Sequence, residues 1–400
     1  MFKKWDNVSK VSLIYFFSSL YFYLPVLTIY YQQKGLNFLQ IGSLWGILTF
    51  TMVLSEIPTG LLADKFGRKI SVILAMVFQL VGEILFLFAN NYMSFVFINM
   101  IAGIGFAFQS GALQALVYDF LKDEKREKEM KKIWGNINSF GQAGFIIGAI
   151  VSSFVISSKS PSQITSGIIL TIISVFLALI ISLLLKEPQN KYHHAETSPF
   201  KMLKDSLEII KNNPSLRRII LFGLFTTPFL AFLNTFQPPY FELSGIPLSL
   251  LGISRAIAGI IAIFCLRYAY KLEHRFKENG VLIATLVPAC FYLLMSVIFN
   301  PIFSTVLFIL NYSTQRLQEP LLADYSNIHL KSEVRATTLS AINMLSSFYV
   351  AGMGLITGKI ADFSLPLTFA FIGLIILIGS LLFRLKNETI KLQTQSGNPL

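Results

Sequence analysis

The sequence predicts an all-α polytopic membrane protein of twelve transmembrane helices in two pseudo-symmetric six-helix bundles. Three observations lead there. Of 400 residues, 54% are hydrophobic and 14% charged, with 37 Phe, far from soluble averages. The apolar residues gather into twelve runs, each close to the roughly twenty residues that a helix needs to cross a bilayer. Lys and Arg fall almost wholly in alternate segments between those runs, as positive-inside topology requires.

The first run, 11–33, has no small-residue cleavage site before or within it and reads as a retained span. The others follow at 40–63, 69–89, 93–120, 133–157, 164–185, 216–240, 247–269, 280–299, 301–325, 335–358 and 365–385. With the N-terminus inside, 28 of the 33 Lys and Arg face the cytoplasm, against Lys34, Lys159 and Lys359 outside and Arg255 and Arg316 within spans. Both termini are therefore expected in the cytoplasm. The net charge of +12 follows from topology and does not mark a nucleic-acid surface. Cys265 and Cys290 lie in apolar segments, and His193, His194, His274 and His329 lack ligand spacing. Neither a disulfide framework, nor a metal cluster, nor a cofactor is expected.

The chain divides into a first bundle (1–185), a linker (186–215), a second bundle (216–386) and a tail (387–400). In the linker, Phe200, Leu203, Leu207 and Ile210 stand at helical spacing opposite charged residues, the pattern of a short amphipathic helix on the inner membrane surface. Internal similarity supports a duplication. Leu113-Gln114 to Asp119-Phe120 at the end of span 4 matches Gln318-Glu319 to Asp324-Tyr325 at the end of span 10, an offset of 205, and the same offset carries Asn138 onto Asn343.

Between spans 2 and 3 stands Gly60-Leu-Leu-Ala-Asp64-Lys-Phe-Gly67-Arg68-Lys69. Asp64 is placed to meet Arg68 or the positive end of a neighbouring helix, and Gly60 and Gly67 permit close contact and a tight turn. The plainer reading is a helix cap with topogenic charges. This pattern resembles the signature loop of the major facilitator superfamily of secondary transporters. The resemblance implies two bundles rocking about a central site, a latch at this loop, a cavity lined by spans 1, 4, 7 and 10, and a monomer. Two antiporter signatures are filled differently here: Asn99 stands where drug-proton antiporters carry Arg, and Gly144-Phe-Ile-Ile-Gly148 lacks their proline.

Polar groups within spans are functional candidates because burial in lipid is costly. Glu56 is placed either in the hinge charge network or opposite an interfacial base. Glu83 shares a face with Gln79; an interhelical hydrogen bond is the preferred reading and proton carriage the other, the resemblance placing span 3 at the periphery. Asp119 completes the coupling candidates. Arg255 and Arg316 cannot be neutralised, and Arg316 can pair with Glu319 three residues on. Further cavity candidates are Asn311, Gln315, Tyr23 beside Tyr21 and Tyr30, Gln109, Asn234 and Asn343. The expected function is proton-coupled efflux of hydrophobic or amphipathic compounds from a bacterial cytoplasmic membrane. Transport of an anionic metabolite on Arg255 and Arg316 is the alternative. A membrane sensor or enzyme is the reading from another class, and the sequence offers it no catalytic constellation.

Overall fold

The computed structural model describes residues 6–188, 199–276, 278–318, 321–322, 325, 330 and 332–385. The expected pairing of Arg316 with Glu319, and the histidines His193, His194 and His329, lie outside them. The chain forms two compact units, Met1–Glu196 with Pro247–Ala256, and Thr197–Ile246 with Ile257–Leu400.

In the first unit the helices are α1 (Asn7–Ser18), α2 (Leu27–Gln33), α3 (Phe38–Phe66), α4 (Arg68–Phe88), α5 (Tyr92–Gln109), α6 (Ala112–Asp123), α7 (Met130–Val155) and α8 (Pro161–Leu183). Local chemistry sets their starts. Asp6 accepts from the Ser9 amide at 2.8 Å, and Asn37 with Gln40 and Asn91 with Ser94 form reciprocal capping boxes. In the second unit lie α9 (Pro199–Asn212), α10 (Pro214–Leu224), α11 (Phe229–Leu243), most of α12 (Ser249–Phe276), α13 (Glu278–Met295), α14 (Pro301–Gln315), α15 (Ser332–Phe363) and α16 (Leu365–Leu382).

Among the described residues nine helical stretches are long and apolar enough to cross a membrane. Three expected spans fall outside that set. The run 280–299 is helical over Asn279–Met295 only. The run 301–325 is helical over Pro301–Gln315 and turns at Arg316 and Leu317, and beyond them only 318, 321, 322 and 325 are among the described residues. The run 11–33 is broken at residues 19–23 between α1 and α2. Phe50, Leu54, Ile57 and Leu61, at helical spacing on α3, are 49%, 60%, 53% and 66% exposed, a stripe that water would not tolerate and lipid does.

The breaks recur. The first span is interrupted from Ser19 and the seventh at 225–228; the fourth is interrupted at Ser110-Gly111 and the tenth at Arg316-Leu317. Ser19 and Phe225 stand 206 positions apart, as do Ser110 and Arg316.

Freed backbone groups at the first break find partners on neighbouring helices, as a low-dielectric setting demands. The Phe22 amide donates to Thr171 Oγ1 (3.1 Å), and Ser174 Oγ donates to the Phe17 carbonyl (2.7 Å). Small residues on α7 let the irregular chain approach: a Cβ on Gly148 would sit 3.0 Å from the Tyr21 carbonyl oxygen. Since backbone cannot yield as a side chain does, Gly148→Val is expected to destabilise the protein by about 1–3 kcal/mol, read as a lowered Tm in detergent. The core below the break joins Val11 and Ile14 of α1 to Val72, Met76, Leu116, Val117 and Ile137.

The linker helix α9 is docked through Ile209 and Ile210 in a cluster with Leu216, Ile220, Leu339 and Ile342 of the second unit. In the loop after α6, Arg126 holds Glu124 (2.8 Å) and Glu129 (3.1 Å). Its hydrogen bonds hold the Glu129 carboxyl below the ordinary value, so the Arg126–Glu129 contact is intact at neutral pH and is lost as pH falls through that lowered value.

Candidate functional site

The expected hinge loop is almost entirely helix. Helix α3 runs to Phe66 and α4 starts at Arg68, leaving Gly67 alone as the turn at φ +100°, a conformation that favours glycine. Gly60 lies on the exposed face of α3. The pairing expected of Asp64 is made by other acids. Asp64 is exposed, and Arg68 Nε meets Asp119 Oδ2 at 2.7 Å, with side-chain exposures of 16% and 7%. Glu187 receives the amides of Arg68 and Lys69, both at 2.8 Å, and so neutralises the N-terminus of α4. The correction has a geometric cause: continuous helix turns Asp64 outward, whereas α6 brings Asp119 across.

The strand of chain leading to Glu187 clamps α1 as well. Lys10, buried, donates to the Leu184 carbonyl (2.8 Å) at the negative end of α8. Asn7 exchanges two bonds with the backbone of Lys186, at 2.7 and 3.0 Å. Sequence reasoning missed Glu187, Lys10 and Asn7, whose only signal is polarity at the ends of apolar runs.

A second cluster lies at the broken first span. One turn of α4 separates Gln79 from Glu83, which is 7% exposed, and both face the unwound residues 19–23. Gln79 Nε2 donates to the Ser18 carbonyl (3.2 Å) and to the Tyr21 hydroxyl (2.8 Å). A carbonyl only accepts, so Ser18 fixes which end of the amide faces it. The Tyr21 oxygen is therefore an acceptor, and its own proton is directed to Glu83, to which it is hydrogen-bonded. Tyr23 donates to Glu83 Oε2 at 2.8 Å. Two hydroxyl donors thus converge on one carboxyl, an arrangement that stabilises its ionised form.

These groups border a partly open, mostly apolar cavity of about 240 Å³. Tyr23 stacks on Phe86 with ring centroids 5.0 Å apart, and Tyr31, Trp45 and Phe106 continue the aromatic wall. Every described residue lining the cavity belongs to the first unit, Gln109 and Asn99 among them, and none of these lining residues is a Lys, Arg or His. Span 3, expected at the periphery and without a substrate-lining role, contributes Gln79, Glu83 and Phe86 to the wall of this cavity. The break admits α4 to the interior by removing a turn of helix that would otherwise cover it.

The remaining candidates are scattered. Arg255, 2% exposed and part of the first unit, donates to the Leu24 carbonyl at 3.2 Å. In the second unit Arg316 donates to the Tyr312 hydroxyl (3.0 Å) and lies 5.4 Å over that ring. Gln315 donates to Asn311 (2.7 Å), both buried, while Gln315 Oε1 has no hydrogen-bond partner among the described residues. Asn234 donates to Leu230 in its own helix (3.1 Å), and Asn343 is exposed. Glu56 is half-buried, and α3 continues through Pro58 without interruption. No group of His, Cys, Asp and Glu suited to a metal ion occurs among the described residues.

Known proteins share this architecture. A crystal structure of a point mutant of the nucleoside transporter NupG superposes with a TM-score of 0.78, covering 97% of this chain and 99% of that one at 13% identity. The transporter YxaM of Bacillus subtilis, described as an uncharacterized MFS-type transporter, is 23% identical over 97% of this chain and 99% of its own. The quinolone resistance protein NorA of Staphylococcus aureus is 24% identical over 71% of each chain. The sequence pattern of the Major Facilitator Superfamily matches residues 11–353. With that match, and a helical architecture of the same kind as solved members, the chain belongs to the Major Facilitator Superfamily and is a multi-pass membrane transporter of a small molecule.

Proposed function

We propose that the protein exports hydrophobic or amphipathic molecules across the cytoplasmic membrane by alternating access, in exchange for protons. The carrying observation is Glu83, a buried carboxyl at the edge of an aromatic cavity within the apolar spans. An ionisable group in such a place is a default candidate for a proton or substrate pathway, and a mostly apolar wall suits apolar cargo. The likeness to NorA, whose name records quinolone resistance, supports the direction of transport. NupG, a nucleoside transporter, supports the fold alone.

In this reading both termini face the cytoplasm, as the Lys and Arg distribution requires, and the protein works as a monomer in the bilayer. The Arg68–Asp119 pair braces the cytoplasmic end of the first unit, and Asp64 is its exposed gating residue. Glu83 is the coupling residue; Glu56 and Asp119 are not.

The test is proton movement in liposomes containing purified protein and an internal pH dye, with lipophilic compounds and small anions added in turn. Dissipation of an imposed pH gradient by lipophilic compounds is expected. A response confined to anions, lost in Arg316→Ala, overturns the reading and puts an anionic substrate in its place.

A further inference from the structure

We propose that the cavity of the first unit is a self-contained binding site for a small hydrophobic monocation, an ammonium group on one ring or short alkyl body, whose charge is held by Glu83. The inference deepens the reading above and rests on it for direction of transport, but the site itself does not depend on that reading.

The hydrogen-bond orientation carries it. The Ser18 carbonyl, freed because α1 ends there, fixes the Gln79 amide; the amide fixes the Tyr21 proton; and that proton joins the one from Tyr23 at Glu83. The two donors lessen the cost of a charge on Glu83, which burial otherwise opposes. An anion held in an apolar cavity calls for a positive partner, and the described residues lining the cavity include no Lys, Arg or His, the titratable groups facing Glu83 across it being Tyr21, Tyr23 and Tyr31. With one hydroxyl proton on each oxygen or both on one, a carboxylate keeps acceptor capacity for a ligand N–H or a close quaternary ammonium. The stacked faces of Tyr23 and Phe86 add cation–π attraction.

Size and charge define the occupant. At about 240 Å³ the cavity lies just under the range of ligand pockets, which starts at about 300 Å³, so the ligand is small. One carboxylate balances one charge, which disfavours dications and excludes anions. When the carboxyl is protonated, the entering cation displaces that proton to water; one positive charge replaces another, and Glu83 accepts each in turn.

The experiment is equilibrium binding of radiolabelled benzyltrimethylammonium to the full-length protein in lipid nanodiscs, with empty nanodiscs as background, from pH 5 to pH 8. Saturable binding is expected, weakening by up to tenfold per pH unit on the acid side. Glu83→Gln is expected to lower affinity at least tenfold and to abolish the pH dependence. Equal binding by a monodisperse Glu83→Gln protein, or wild-type binding that ignores pH, overturns the proposal. A readout on the wild type alone guards against misfolding: dicyclohexylcarbodiimide labelling of Glu83, followed by mass spectrometry, should be slowed by the cation, and unchanged labelling at saturating cation overturns the proposal. Cation binding without proton-coupled transport removes the export reading and leaves the site. Absence of saturable cation binding to the wild type, with proton-coupled transport of lipophilic compounds intact, removes the site and leaves the export reading.

Discussion

Glu83→Gln is expected to abolish substrate-driven proton movement in proteoliposomes while leaving a folded protein. Glutamine preserves the size of the side chain and its capacity to accept from Tyr23, so the hydrogen-bond loss amounts to about 1 kcal/mol or less. Removing a buried charge offsets part of even that. The amide can neither bind and release a proton nor balance a cation, so flux should fall to that of empty liposomes. Tyr21→Phe removes one of two donors and should give an intermediate phenotype, with weaker binding and an intact fold. Normal coupling in Glu83→Gln would transfer the coupling role to another carboxyl.

The second large effect is expected at Asp119. Asp119→Ala leaves the Arg68 guanidinium, 16% exposed, without its 2.7 Å partner. Breaking a buried pair from one side costs roughly 3–5 kcal/mol, and residual solvent access at Arg68 places this case near the lower bound, at about 3 kcal/mol. A fall in Tm in detergent is the readout. Combining it with Arg68→Met should recover much of the loss, because the cost lies in the orphaned charge rather than in the missing bond. Asp64→Ala, at an exposed acid, should leave Tm unchanged; a fall as large as that of Asp119→Ala would mean that Asp64 has the structural role.

Particular residues show what the sequence disclosed and what it withheld. The membrane architecture was legible because apolar runs of sufficient length leave helix as the one solution in lipid. Gly67 was legible as a turn, since a turn of this kind needs glycine. The partner of Arg68 was not, because Asp119 lies 51 positions away and only tertiary structure unites them. Spacing put Gln79 and Glu83 on one face, and Tyr21 and Tyr23 stood out within the first span. Their convergence was hidden, because it depends on a break at residues 19–23, upstream of the one proline of that span, Pro25. That break is held open by Thr171, Ser174 and Gln79 and accommodated by Gly148, all on other helices. Arg255 and Arg316 stood out as intramembrane cations, and their bonding to a backbone carbonyl and a tyrosine could not be foreseen from composition.

The 206-residue spacing of the helix interruptions bears on the history of the chain. The same irregularity at the same register in both halves is what duplication of a half-length chain with interrupted first and fourth helices would leave. What the copies did with the flaw then diverged. In the first, the interruption is spanned by an amide that leads through a tyrosine to an acid. In the second, Tyr292 donates straight to the Phe229 carbonyl at 2.6 Å, a backbone acceptor in place of an acid. One descendant turned an inherited defect towards chemistry and the other towards structure, a division of labour that a single unduplicated half could not have made.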